Sequence, residues 1–185
     1  MIENNKMLTK KVAIFILFVL VSIGIPSITV RAAITPYSSS GSETGNISVR
    51  DYTGQYNDLW VSIMDESVDS WNILANVSIM KDPWSQNYIL ASQYLDEWYG
   101  IEIPTPSSGY ITSFIIKLNT RTIADNATNF SNFAQSVLVH ELGHVFWLKD
   151  NPGTTSSSIM KYSRNRNLMI LPQQYDINNV NAKYD

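Results

Sequence analysis

Residues 137–151 read VLVHELGHVFWLKDN, and this stretch decides both the fold and the candidate site. Its apolar residues surround the helix axis on nearly every side, which predicts a central, buried helix. Asn132, with Gln135 three residues later, predicts the N-cap, and the helix is expected to run to about Leu148. A buried helix tolerates a His-Glu-x-x-His pattern only when strong partners satisfy its polar groups.

His140 and His144 are four residues apart, so a helix presents both imidazoles on one face, one turn apart. Two ring nitrogens placed in this way can share one zinc ion at about 2.1 Å from each. Glu141 lies about 100° round the helix and could act on an attacking water as a general base. Because the chain has only these two histidines, the pattern predicts a catalytic zinc site.

The third zinc ligand cannot be histidine or cysteine, because the chain contains no other histidine and no cysteine. No glutamate follows in the sequence, which leaves three downstream candidates: Asp150, Asp176 and Asp185. A straight helix would place Asp150 about 240° from the second histidine, facing away from the metal. The helix must therefore end near Trp147 if Asp150 is the ligand, and Asp176 is the reserve candidate.

The first 32 residues have the pattern of a secretory signal peptide. Lysines precede an apolar run over residues 12–25, Pro26 ends the run, and small residues mark a cleavage point before Ala33. The run is shorter than the roughly 20 residues of a membrane-spanning helix, so cleavage and secretion are expected rather than an uncleaved anchor. The predicted organisation is a signal peptide over 1–32, a flexible segment over 33–56 and a zinc metallopeptidase catalytic domain over 57–185.

The composition limits the classes of partner. The 185-residue chain is 44% hydrophobic, enough for one domain with a core. Removal of residues 1–32, which hold four basic residues and one acidic residue, changes the formal net charge from −3 to −6. An acidic protein lacks the basic face that binds nucleic acid or anionic membrane surfaces. The absence of cysteine excludes a disulfide framework, so the core and bound metal must hold the protein together.

The spacing of apolar residues elsewhere predicts an α+β domain with a twisted mixed sheet. Steps of three and four predict an amphipathic helix over residues 58–75, with Trp60 and Trp71 in the core. The strongest predicted strand is Tyr110–Asn119. The other predicted elements are strands at Ile47–Arg50, Val77–Met80, Tyr88–Leu95 and Trp98–Ile103, loops at Pro104–Gly109 and Thr120–Phe130, and a last helix from Leu171 to Tyr184.

The sequence HELGHVFWLKD, followed by Ser158-Ile159-Met160, resembles the metzincin clan of zinc peptidases, whose signature is HExxHxxGxxH and a methionine-containing turn, the Met-turn. Flanking patterns are similar to bacterial matrixin-like enzymes over roughly residues 57–184, and an aspartate as third ligand resembles the snapalysins. The resemblance implies a buried active-site helix, the Met-turn and a C-terminal helix. It also implies His140, His144 and Asp150 as zinc ligands, Glu141 as general base and Met160 beneath the metal.

The resemblance implies further roles near the metal. Tyr162, two residues after the turn methionine, has the spacing of a tyrosine that contacts the zinc or the oxyanion in astacins and serralysins. Tyr99, Gly100 and Ile101 resemble the edge strand along which a peptide substrate lies extended. Trp147 departs from the family pattern, because it replaces the glycine at which the helix ends. A left-handed conformation there costs a bulky residue on the order of 1–2 kcal/mol.

These observations predict a small, secreted, zinc-dependent endopeptidase that acts as a monomer on protein or peptide substrates. One catalytic zinc is expected; calcium is a candidate second metal, although the sequence marks no site for it. No nucleic acid is expected as a partner, and no membrane after signal cleavage. Two alternatives stay open, namely a zinc-stabilised binding module without turnover and a zinc hydrolase of cell-wall peptides.

Overall fold

The computed structural model describes residues 35–185, and the predicted signal peptide lies outside them. This part of the chain has a six-stranded sheet and four α-helices. None of its helices combines the length and the apolar character needed to cross a membrane. The strands are β1 (Gly41–Ser42), β2 (Asn46–Asp51), β3 (Ser78–Lys81), β4 (Tyr88–Ser92), β5 (Gly100–Ser107) and β6 (Tyr110–Asn119), and the helices are α1 (Asp58–Leu74), α2 (Thr120–Asn126), α3 (Phe130–Val145) and α4 (Gln174–Tyr184).

The sheet is mixed, with one antiparallel strand at its edge. Its order is β1-β6-β4-β2-β3, and all of these neighbours are parallel. Strand β5 pairs antiparallel with β6 after a tight turn at Ser108 and Gly109, whose φ angles are 53° and 86°. The predicted α+β class, with a mixed sheet, a buried helix, a methionine turn and a C-terminal helix, is confirmed.

Helix α1 packs against α3 through its two tryptophans. The side chain of Asn57 accepts a hydrogen bond from the backbone of Trp60 and caps the helix. Trp60 and Trp71 are fully buried, as predicted. The Trp71 indole donates a hydrogen bond of 3.1 Å to the carbonyl of Val139, which ties α1 to the middle of α3.

Helix α3 is buried along most of its length, as its apolar sequence predicts. Its N-cap is Asn129, whose side chain accepts from the backbone N–H of Asn132 at 3.1 Å. The predicted cap at Asn132 is therefore wrong, because the first turn begins three residues earlier. The helix ends at Val145 rather than near Leu148, which leaves room for the chain to turn toward the site.

One predicted loop is wrong and another is shorter than predicted. Strand β5 continues to Ser107, so only Ser108 and Gly109 of the predicted turn at Pro104–Gly109 form the turn. Prolines are tolerated on an edge strand, and the register shifts between Thr105 and Pro106. The predicted loop at Thr120–Phe130 contains helix α2, in which Ile123 is fully buried. This helix has only seven residues, too few for its periodicity to stand out from a polar loop.

The predicted flexible segment over 33–56 needs correction, because β1 and β2 lie within it. Strand β2 pairs with both β3 and β4, and its Ile47 and Val49 are buried. The Ser, Thr and Gly content of this segment indicated a linker, but parallel neighbours from distant parts of the chain supply the backbone partners and the core. The predicted strand Ile47–Arg50 is part of β2.

Candidate metal centre

Helix α3 ends in a Schellman motif at Trp147. The backbone N–H of Leu148 donates to the carbonyl of Gly143 at 2.9 Å, and that of Trp147 to the carbonyl of His144 at 3.1 Å. Trp147 has a φ of 74°, the left-handed conformation that glycine usually adopts at this position. The turn that Asp150 requires in order to reach the metal site is therefore present.

Contacts of the Trp147 side chain offset the left-handed backbone. Its indole donates to the carbonyl of Ser42 at 2.8 Å. The ring lies so close to Gly41 that a Cβ there would be 2.4 Å from a ring carbon. The Tyr110 ring packs edge-on against the indole, with 5.9 Å between the ring centres, and the Lys183 ammonium lies 4.1 Å from the centre of the indole. Burial of an aromatic ring stabilises by more than the roughly 1–2 kcal/mol that the backbone conformation costs.

We expect Trp147→Gly to lower the free energy of unfolding by about 2 kcal/mol, because the lost packing exceeds the backbone strain that glycine removes. Urea denaturation of the metal-free protein measures the difference. Trp84→Gly is the matched control, because Trp84 is 82% exposed and its loss should change the stability by less than about 0.5 kcal/mol. Higher stability of Trp147→Gly would show that the strain dominates.

The structure brings His140, His144 and Asp150 together at the end of α3. Asp150 Oδ1 lies 3.1 Å from Nε2 of His140 and 3.5 Å from Nε2 of His144. All three ligand atoms lie within 4.8 Å of one another, and the group could hold a metal ion. Asp176 and Asp185, the other candidates from the sequence, are not members of this group.

The hydrogen bonds of the two histidines direct lone pairs toward one point. Nδ1 of His140 lies 3.0 Å from the carbonyl of Ile159, and Nδ1 of His144 lies 2.8 Å from the carbonyl of Leu148. Carbonyls only accept, so each neutral ring carries its proton on Nδ1 and presents an unprotonated Nε2. Asp150 Oδ1 is buried and accepts no hydrogen bond from the described residues 35–185. Three lone-pair atoms facing one point repel each other unless a cation lies between them, and two imidazoles with a carboxylate suit zinc.

The electrostatics of the group also favour a cation. Burial opposes the charge on Asp150, but contacts with His140, His144 and Tyr162 outweigh it and hold the pKa of Asp150 well below its usual range. Burial opposes the charge on His144 as well, yet Asp150 and Glu141 raise its pKa to about 9. The site therefore attracts positive charge, carried either by a proton or by a metal ion.

Met160 packs against α3 at Gly143. It is 1% exposed, and a Cβ on Gly143 would be only 2.7 Å from its sulfur. Gly143, between the two histidines in sequence, therefore lets the methionine pack directly on the helix backbone. The role of Met160 beneath the metal stays a prediction from the resemblance.

Asp176 stabilises the turn that contains Ser158, Ile159 and Met160. It is fully buried, and it accepts hydrogen bonds from the Ser158 hydroxyl at 2.6 Å and from the backbone N–H groups of Ile159 at 2.7 Å and Gln173 at 2.9 Å. The Ile159 carbonyl in turn contacts His140. Asp176 thus orients a histidine through the turn, which is a structural role and not that of a ligand.

A cleft of about 460 Å³ opens above the metal group, lined by Glu141 and by the start of β5. Glu141 is 6% exposed. A Cβ on Gly100 would be 2.5 Å from a methyl group of Val137 and 2.9 Å from Oε1 of Glu141, so glycine lets the edge strand pass close to α3. Tyr99 and Ile101, predicted with Gly100 to contact substrate, also line the cleft.

Tyr162 lies at the mouth of the cleft. Its ring centre is 6.4 Å from that of His140, and the side chain is 55% exposed. Interaction with the Asp150 carboxylate raises the pKa of Tyr162 to about 12. The phenol therefore keeps its proton at neutral pH and can donate a hydrogen bond to a developing negative charge.

Four charged residues of the cleft were not predicted from the sequence, namely Glu97, Glu102, Arg164 and Arg166. The alternation of β5 could have placed Glu102 on the same face as Gly100. Burial raises the pKa of Glu102 to about 7. The arginines lie in an irregular segment after the Met-turn, where no periodicity indicates which side chains face inward. Their placement depends on the folded chain.

No family model matches the chain, and no curated protein matches its sequence. Among solved structures, the chain is similar to the GM1 bound form of the ECX AB5 holotoxin, with 14% identity over 75% of this chain and 80% of that chain and a TM-score of 0.49. It is also similar to an archaemetzincin from Methanopyrus kandleri, with 11% identity over 76% of this chain and 96% of that chain and a TM-score of 0.47. At these identities and TM-scores, neither likeness assigns the chain to a family.

Proposed function

We propose that this protein is a secreted zinc-dependent endopeptidase of metzincin type. The observation that carries the proposal is the convergence of His140, His144 and Asp150 beside the Glu141 carboxylate at the base of an open cleft. The two Nδ1–carbonyl contacts support ligand roles for both histidines. The apolar run of the predicted signal peptide supports secretion.

Bound zinc would lower the pKa of water toward neutrality and polarise a peptide carbonyl. The Glu141 carboxylate accepts a proton from the attacking water. It then delivers this proton to the amide nitrogen of the leaving peptide fragment. Tyr162 donates a hydrogen bond from its phenol to the oxyanion. Ser158, Ile159 and Asp176 hold His140 in the orientation that these steps need.

The free edge of β5 is the proposed binding surface for the peptide backbone. Within residues 35–185, β6 is the one strand that pairs with β5, so the other edge of β5 has backbone groups for an added strand. Ile101 and Ile103 are 36% and 38% exposed on this edge strand and offer apolar contacts. An extended peptide paired to this edge passes over Glu141.

We expect the purified protein to contain one zinc per chain and to cleave unfolded casein. A chelator should reduce cleavage by roughly 100-fold or more and lower the melting temperature, and added zinc should restore both. A serine-protease inhibitor is the control and should have no effect. Absence of stoichiometric zinc would contradict the proposal. Zinc without cleavage would favour a binding module, and cleavage of cell-wall peptides alone would change the substrate class.

A further inference from the structure

Arg166 lines the cleft near Glu141 and is held there by two aromatic rings. Its guanidinium carbon lies 5.0 Å from the ring centre of Tyr99 and 5.9 Å from that of Phe133. The two rings are themselves packed edge to face at 4.9 Å. Stacking on aromatic faces restricts the orientation of the guanidinium.

Residues 35–185 supply acceptors for only a few of the N–H groups of Arg166. A guanidinium has five N–H donors, and here one nitrogen donates to the carbonyl of Tyr162 at 3.3 Å. Its Nε is buried without an acceptor, and no carboxylate among residues 35–185 forms a salt bridge with it. Arg164 differs, because hydrogen bonds to Ser136 and to the carbonyl of Lys161 engage all three of its nitrogens.

Burial lowers the pKa of Arg166, and Glu141, which also lines the cleft, attracts the guanidinium and opposes that lowering, but among residues 35–185 no acidic residue of the cleft forms a salt bridge with Arg166. Glu97 forms a salt bridge of 3.0 Å with Arg121. Glu102 interacts electrostatically with His144 and Glu141. Burial lowers the pKa of Arg164, and repulsion between Arg164 and Arg166 adds to this lowering. An anion bound beside Arg166 would therefore complete its hydrogen bonding and offset the repulsion.

Arg166 lies beside the residue that precedes β5, and this position relates it to the direction of a peptide bound along that strand. Its partner Tyr99 comes just before Gly100, which lies against Glu141, and Glu102 follows farther along the strand. A peptide that pairs antiparallel with β5, as β6 does, runs in the reverse direction. Its carboxyl-terminal part therefore lies toward Arg166.

We propose that Arg166 is a specificity-determining residue that binds a carboxylate of the substrate on the carboxyl-terminal side of the scissile bond. This inference rests on the proposed peptidase function and narrows its substrate class. The guanidinium fork matches a carboxylate with two parallel hydrogen bonds. That carboxylate is either the side chain of an aspartate or glutamate or the free carboxyl terminus of a short peptide.

Binding to a zinc-loaded Glu141→Gln variant tests the inference without turnover. Three fluorescent peptides of one length are compared by anisotropy: one with a glutamate and an amidated terminus, one neutral with a free carboxyl terminus, and one neutral and amidated. We expect at least one carboxylate peptide to bind roughly 10- to 100-fold more tightly than the neutral peptide. Adding Arg166→Gln should remove that difference, and Arg166→Lys should retain part of it.

Arg50→Gln is the matched control. Arg50 also stacks on a tyrosine, with 5.6 Å between its guanidinium carbon and the Tyr52 ring, and its Nε is also buried without an acceptor, but it does not line the cleft. Its substitution should leave the preference unchanged. Zinc content and circular dichroism establish that each variant is folded.

Equal binding of all three peptides would overturn the inference, and so would an Arg166→Gln variant that weakens all three equally. These binding measurements require no cleavage, so they are independent of the proposed peptidase activity. If the unmodified protein is inactive but still prefers carboxylate peptides, the proposed peptidase function is contradicted and the role of Arg166 is supported. In an active protein, mass spectrometry of casein fragments should show acidic residues or chain ends just after the cut. The peptide with a glutamate and the peptide with a free carboxyl terminus distinguish a side-chain carboxylate from a terminal one.

Discussion

Substitution of Glu141 by glutamine is expected to lower kcat for peptide hydrolysis by roughly 10³-fold, with little change in zinc content. General acid–base catalysis by a positioned side chain contributes about 10²- to 10⁴-fold, and an amide cannot accept the proton from water. Glutamine preserves the shape of the side chain against Gly100, so β5 should stay in place. Steady-state cleavage of a quenched fluorescent peptide measures the effect.

The control for Glu141→Gln is Glu97→Gln, a glutamate on the rim of the cleft whose carboxylate already pairs with Arg121. An exposed ion pair of this kind contributes little to stability, and we expect activity within about twofold of the unmodified protein. Retention of most activity in Glu141→Gln would exclude Glu141 as the base. Loss of zinc from that variant would instead point to a structural role in the metal group.

Asp150→Ala is expected to abolish stoichiometric zinc binding and activity together. Loss of a residue that supports a metal ligand costs about 10- to 100-fold in affinity, and loss of a ligand itself should cost more. Asp150 is the one carboxylate in the metal group, and its Oδ1 is the atom directed at both histidines. Zinc content after dialysis against a weak chelator measures the change.

The variant Asp176→Asn separates a ligand from a supporting residue. Asp176 binds the turn that contacts His140 but is not a member of the metal group. We expect it to keep zinc, with an affinity reduced by roughly 10- to 100-fold at most, and to unfold at a lower temperature because a buried hydrogen-bond network is disturbed. Loss of zinc in Asp176→Asn but not in Asp150→Ala would reverse the ligand assignment.

Regular elements with strong periodicity were predictable from the sequence, and short or irregular ones were not. Helix α1 and strand β6 match their predicted positions, because each has a long run of apolar residues at one period. Helix α2 was predicted as a loop, and β2 as a short strand inside a flexible segment, since both owe their stability to partners distant in the chain. The prolines of β5 indicated a turn, although an edge strand accommodates them.

The sequence by itself determined that His140, Glu141 and His144 share one turn of a buried helix, because helical spacing depends only on the local backbone. It also limited the third ligand to three aspartates. The tertiary structure decided among them, because Asp150 reaches the histidines only through the left-handed turn at Trp147, whose ring packs on distant residues. Tertiary packing also placed Arg166 beside the cleft, since contacts between segments far apart in the sequence determine where an irregular loop lies.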